Sequence, residues 1–196
     1  MVLPFFVLFL IILTVSIRSN RRKEKETLDR FWERENLANN TRRKDLTHLS
    51  YITIPDKLLA DIPVEDDGIA QNILSLKELS AKKIVNLNEY SNTDLKLKYG
   101  AANLPALMEY DENYNILILT LVEISHALID HGLPEDAIRY LSFGADCSSD
   151  ITENYTLLAQ LYRDGHQDAA LAQLYTQIRQ LTCSNKEHIL KAVLAI

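Results

Sequence analysis

Apolar residues recur at helical spacing from Ile69 to the end of the chain, and the period is broken only by short polar clusters. Upstream the pattern changes three times. Val2–Ile17 is apolar except for Pro4, Thr14 and Ser16, and it carries no charge. Residues 20–38 then read as a charged helix with Leu28, Phe31, Trp32 and Glu35 on one side. The stripe is barely two turns long, which favours a stalk whose Phe31–Trp32 step packs on its own body over a membrane-surface helix. Asn39-Asn40-Thr41 ends that helix, since Asn suits helix stops and turns. Tyr51-Ile52-Thr53-Ile54-Pro55 is the single β-like run, with Ile54 held extended by the proline after it. Five residues form no sheet alone, so the expectation is an extended strap on an all-α body.

Within that body the elements follow from local signals. Ile69–Lys83 places Ile69, Ile73, Leu76 and Leu79 on one face. Ser91-Asn92-Thr93-Asp94 has capping-box form and opens a short helix that stops at Gly100. Asn103-Leu104-Pro105 opens another brief one, and Asp111-Glu112-Asn113 is expected to start a long helix, Tyr114–Asp130. Its positions Ile116, Ile118, Leu119, Leu121, Val122, Ile124 and Leu128 cover most of the circumference, which predicts a helix central to the domain. Pro134 starts its partner after Gly132, a helix over 151–164 ends at Gly165, and 168–181 returns. Asp150 with Glu153, and Ser184 with Glu187, have capping spacing ahead of the last hairpin and a final helix.

Two of these hairpins repeat. Aligning Gly132 with Gly165 gives an offset of 33 residues, which also pairs Leu128 with Leu161, Ala137 with Ala170, and Leu141 with Leu174. A helical hairpin cannot bury its own apolar stripe, so neighbours of this kind stack and share a core. Tyr155, Leu158, Ala159, Tyr162, Gly165, Ala170 and Leu174 resemble the tetratricopeptide-repeat signature, and Val122, Ser125, His126, Ile129, Gly132, Ala137 and Leu141 form a weaker copy. Both copies depart from it alike: three residues separate Tyr162 from Gly165 and Ile129 from Gly132, where the family has four. Leu174 replaces an aromatic, and Gln177 stands at a small-residue position. The resemblance implies a stack whose first helices line a groove. The layout also resembles small single-pass bacterial membrane proteins.

Charge adds a topology. Residues 18–47 hold ten Lys and Arg against six Asp and Glu, whereas residues 48–196 hold eleven against 21. An acidic body argues against nucleic-acid binding, which rests on clustered cations facing phosphates. The basic cluster Arg18, Arg21, Arg22, Lys23 and Lys25 directly follows the apolar run. A cleaved signal peptide has its charges before the run and small residues after it, so an uncleaved anchor fits better. Thirteen Leu, Ile, Phe and Val residues at ~0.4 kcal/mol each favour insertion by roughly 5 kcal/mol. The positive-inside rule then puts the N-terminus outside and the body in the cytoplasm, with the cluster drawn to anionic headgroups. The expected plan is an anchor over 1–17, a basic juxtamembrane helix and stalk over 18–47, a strap with an acidic loop over 48–67, and a helical-repeat domain over 68–196.

Motifs that carry chemistry are weak. The five histidines are scattered without metal-ligand spacing, and no phosphate-cradling glycine loop occurs. Asp66-Asp67 lacks the spacing of a calcium loop. Cys147 and Cys183 read as free thiols in the body. We therefore expect no cofactor and no enzymatic activity, but a membrane-tethered interaction module or scaffold on the cytoplasmic face, with the lipid bilayer and an unidentified protein or peptide as partners. The alternatives are a hydrolase or metal-dependent enzyme with a site built from distant residues, and an envelope-facing protein of inverted topology. In the tetratricopeptide frame the groove-lining positions are Glu123, Asp130, Thr156, Gln160 and Arg163, which suggests a partner segment of mixed charge.

Overall fold

Eight α-helices and two short 3-10 helices, Asp56–Leu58 and Ala101–Asn103, make up the regular structure of the described residues; the α-helices are α1 Leu3–Asn39, α2 Asp67–Ser80, α3 Asn92–Tyr99, α4 Leu104–Asp130, α5 Pro134–Asp146, α6 Thr152–Asp164, α7 Asp168–Gln180 and α8 Lys186–Leu194. This is a computed structural model, and it describes the backbone of residues 3–60 and 62–196 and the side chains of Arg18, Arg21, 23–60 and 62–196. The fold is all-α, as the periodicity requires. The expected anchor over 1–17 lies outside the described side chains, and among the described residues no helix is long and apolar enough to cross a membrane. The chain divides into two units, neither continuous in sequence.

The first unit comprises residues 1–45 and 92–104. Here α3 packs along the end of α1 through polar groups. Glu35 accepts from Thr93 Oγ1 at 2.7 Å and from Lys96 Nζ, and Arg34 pairs with Asp94. The ammonium of Lys96, then the Thr93 hydroxyl, hold the Glu35 carboxyl below the usual range. Asn103, almost fully buried, fastens the connection: its amide donates to Lys44 O at 2.7 Å and Tyr99 O at 2.8 Å, and its oxygen accepts from Arg43 Nε at 2.9 Å. Leu28, Phe31 and Trp32 behave differently from the expectation. They are 52–54% exposed, and Phe31 and Trp32 meet only edge to face, 5.3 Å apart. About half of each side chain therefore stays in solvent.

Residues 46–91 and 105–196 form the second unit, around two apolar clusters. The first gathers Ile54 and Leu58 of the strap, the buried face of α2, and Tyr114, Leu117, Ile118, Leu121, Ile124 and Leu128 of α4 with Ala137 and Tyr140 of α5. A second cluster joins Val122 to Leu141, Tyr155, Leu158, Leu174, Ile178 and the α8 residues Ile189 and Val193. Each fully buried leucine there contributes about 1.5–3 kcal/mol relative to exposure. The strap docks by main-chain as well as apolar contact, with Ile52 N donating to Ile84 O at 2.9 Å and Tyr140 Oη to Leu58 O at 3.1 Å.

Two expectations change for a common reason. No new helix starts at Asp111-Glu112-Asn113; α4 runs unbroken from Leu104. Asp111 accepts from Leu87 N at 3.0 Å and Asn113 Nδ2 donates to Lys83 O at 3.0 Å, so these cap-type side chains bond sideways to a neighbouring segment. Likewise Asn185 donates to Asp150 O and Thr152 Oγ1, and Asp150 accepts from Asn88 Nδ2. By contrast Asp66 does cap: its carboxylate accepts from Ile69 N at 2.9 Å and opens α2.

The repeat register also shifts. α4 and α6 end at Asp130 and Asp164, and α5 and α7 begin at Pro134 and Asp168, a spacing of 34 residues rather than 33. The left-handed residue that closes each first helix is Gly132 in one copy and His166, not Gly165, in the other. In both copies the next residue donates back five positions, Leu133 to Leu128 O and Gln167 to Tyr162 O. Buried residues match in this register: Leu121 with Tyr155, Ile124 with Leu158, Ser125 with Ala159, Tyr140 with Leu174. Where α5 crosses α6, Gly144 lets the buried Asn154 approach; a Cβ on Gly144 would stand 2.3 Å from its Oδ1.

Ala137 and Ala170 are therefore not equivalent. Ala137 is fully buried, Ala170 only partly. Ala137→Leu is expected to overpack the first core and cost about 1–3 kcal/mol, and Ala170→Leu to cost under about 1 kcal/mol. Urea unfolding of the two variants checks this, and equal losses would restore the 33-residue register.

Candidate functional site

The candidate face is built on α4, whose 27 residues include Glu109, Asp111, Glu112, Glu123 and Asp130 but no Lys or Arg. Its core side was described above. Along the opposite side, positions three and four apart stay in solvent: Met108, Glu112, Ile116, Leu119, Glu123, His126 and Asp130. Leu119 is 54% exposed, Met108 51% and Ile116 38%. Apolar positions around most of the circumference of α4 predict a central helix, yet Ile116 and Leu119 stay in solvent. The signal that separates them is the acidic residues in phase with them, Glu112 and Glu123.

A bond between helices extends the face. His126 Nε2 lies 2.8 Å from Glu153 Oε1 at the start of α6, so the first helices of the two hairpins lie side by side there. On α6, Gln160 is exposed and donates to Asp164 Oδ1 at 2.8 Å. Thr156 is half-buried, and its hydroxyl donates to Glu153 O at 3.2 Å. Arg163 donates through Nη1 to the main-chain oxygen of Ile196. The five positions expected to line a groove thus separate: Glu123, Asp130 and Gln160 present free or locally bonded polar groups, while the guanidinium of Arg163 is engaged at the end of α8. The strap leaves Glu123 and Asp130 exposed.

Of the basic cluster, Arg18, Arg21, Lys23 and Lys25 are exposed on α1, and the side chain of Arg22 lies outside the described residues.

Buried polar groups in this unit hold loops. Tyr114 Oη donates to Ser148 O at 3.0 Å while accepting from Asn86 Nδ2 at 2.9 Å, and Tyr155 Oη donates to Ser149 O at 2.8 Å. Burial pushes the Cys147 thiol up to about 12, which keeps it protonated and unreactive at neutral pH. Burial raises Asp111 as well, against the lowering effect of the Leu87 N–H. His131 bonds to Asp66 Oδ2 at 2.9 Å, and this imidazole, ahead of the Ile69 N–H, holds the Asp66 carboxyl down. Among the described residues no three His, Cys, Asp or Glu side chains converge to hold a metal ion. No known protein family, curated protein or solved structure gives a significant match to the chain.

Proposed function

We propose that this chain is a non-enzymatic, membrane-tethered, tetratricopeptide-like helical-repeat protein that serves as a protein–protein interaction module or scaffold on the cytoplasmic face. The observation that supports it best is the pair of helical hairpins at 34-residue spacing, which is the tetratricopeptide period. In that register Tyr162 stands four residues before the left-handed His166, as Leu128 does before Gly132, so the departure in spacing disappears. Tyr175 then falls at the aromatic position, while Leu171 and Ile178 remain larger than the family's small residues. An exposed face on α4 and α6, with apolar and charged groups together, suits peptide binding better than chemistry.

The anchor reading rests on the uncharged run Val2–Ile17 and the cations that follow it. Full-length protein should stay with membranes through a high-salt wash, deletion of residues 2–17 should release it, and a reporter fused after Ile196 should be active in the cytoplasm. A reporter active only outside the cytoplasm would overturn the topology. Crosslinking in native-host membranes should capture a protein partner through α4 or α6, and a chain that captures none is not a module.

A further inference from the structure

We propose that the exposed side of α4 binds a cationic amphipathic helix. The inference deepens the module reading and rests on it; what it adds is the chemistry of the partner. Met108, Ile116 and Leu119 are large apolar side chains left in solvent on one line, at spacings of eight and three residues. That is the spacing at which a second helix lays its own i, i+3/i+4, i+7 anchors across a helical surface. Scattered exposed apolar residues are ordinary, but three aligned on a single face mark a contact surface.

Charge identifies the occupant. Glu112, Glu123 and Asp130 lie in the same stripe, and α4 supplies no Lys or Arg to neutralise them. The neighbouring ridge adds Glu153 and Asp164, while its one cation, Arg163, is held by Ile196 O. A partner of mixed charge, expected from the order of residues alone, would set its acids against these carboxylates. A helix with Lys or Arg flanking an apolar stripe pairs every group: leucine-like anchors over Leu119, Ile116 and Met108, ammonium or guanidinium groups beside the three acids. Because the charges are exposed, they set orientation and association rate, and the apolar anchors set residence. From Met108 to Asp130 the stripe is about 33 Å long, room for a helix of roughly 20 residues.

The test uses the full chain in nanodiscs of zwitterionic lipid, with empty nanodiscs as the blank. The probes are three labelled 18-residue peptides: Leu/Lys with leucines at helical spacing, the same pattern with Glu for Lys, and a shuffled Leu/Lys peptide without helical period. Fluorescence anisotropy should show binding of the first, at least about 10-fold tighter than the other two, and weakening as salt rises from 50 to 300 mM. Glu112→Lys/Glu123→Lys/Asp130→Lys should weaken it about 10-fold or more, and Leu119→Ser about 5-fold. The neutral variant Glu112→Gln/Glu123→Gln/Asp130→Asn should fall between, which covers a loss of folding in the reversed one. Equal reversal elsewhere, at Glu78, Glu89 and Glu187, should change binding less than about 2-fold. Equal binding of the acidic or shuffled peptide, or equal loss in the remote reversal, overturns the inference. If crosslinking still captures a partner through α6 in that case, the module reading survives; self-association blocked by Leu119→Ser would instead make the occupant a second copy.

Discussion

Gly100→Ala should destabilise the first unit by about 3 kcal/mol or more. Gly100 sits at φ 94°, where an L side chain is strained by roughly 1–2 kcal/mol. The space is closed as well. A Cβ there would lie 2.3 Å from Arg42 O and 2.7 Å from both Arg42 C and Arg43 Cα. These are main-chain atoms, so no rotamer change relieves the overlap. Nor can the two strands of chain slide apart, because Lys44 N donates to Tyr99 O at 3.0 Å and Ala101 N to Thr41 O at 3.2 Å on either side. Separation would also strip Asn103 of two of its three partners, Lys44 O and Arg43 Nε. Hydrogen exchange at the amides of Lys44 and Ala101 is the direct readout and should rise by at least about 100-fold if 3 kcal/mol is lost locally. Unchanged exchange at both amides would show that the α3 connection does not depend on this contact.

The protein should also lose stability steeply above pH 10. Tyr114, Tyr140 and Tyr155 are at most 2% exposed, and each donates its hydroxyl to a main-chain carbonyl. Burial raises all three, Tyr140 to about 12 and the other two further. The folded chain therefore keeps protons that the unfolded chain releases above about pH 10, the ordinary tyrosine value. The contribution is complete below that pH and is lost as pH rises toward the folded values. Each tyrosine costs about 1.4 kcal/mol per pH unit in that window, so the three together remove roughly 4 kcal/mol by pH 11. Burial of Cys147 acts in the same direction from a lower starting pH. Urea unfolding between pH 8 and 11 measures the slope. Tyr114→Phe should be about 1–3 kcal/mol less stable at pH 8, because Ser148 O and Asn86 lose a partner, yet its deficit should shrink as pH rises. A stability that stays flat from pH 9 to 11 would rule out the buried hydroxyls as its source.

Helices and their ends were largely legible because the signals are local. Asn39 stops α1, Gly100 follows α3, Pro134 opens α5, and the apolar period carries α6 and α7. Backbone preference and a side chain a few residues away are enough to set these, and both are written in order along the chain. The acidic character of α4 was equally open to reading, since a helix without Lys or Arg is a fact of composition.

The use made of each polar group was not legible. Asp111, Asn113, Asp150 and Asn185 have the chemistry of caps, but each bonds to a segment distant in sequence, as Asp111 does to Leu87. Arg163, a groove-lining position by sequence order, donates to Ile196 O. The position of His166 rather than Gly165 in the left-handed turn moved the repeat by one residue, and exposure of Leu119 turned a core position into a surface one. By itself the sequence determined that this is a helical chain with paired hairpins and a strong charge asymmetry, because periodicity and caps act within one or two turns. Only the tertiary structure decided which side of α4 is open and which cations are already engaged. A hydrogen bond or a buried methylene is worth its ~1 kcal/mol only within a few ångströms, and sequence order does not give that distance.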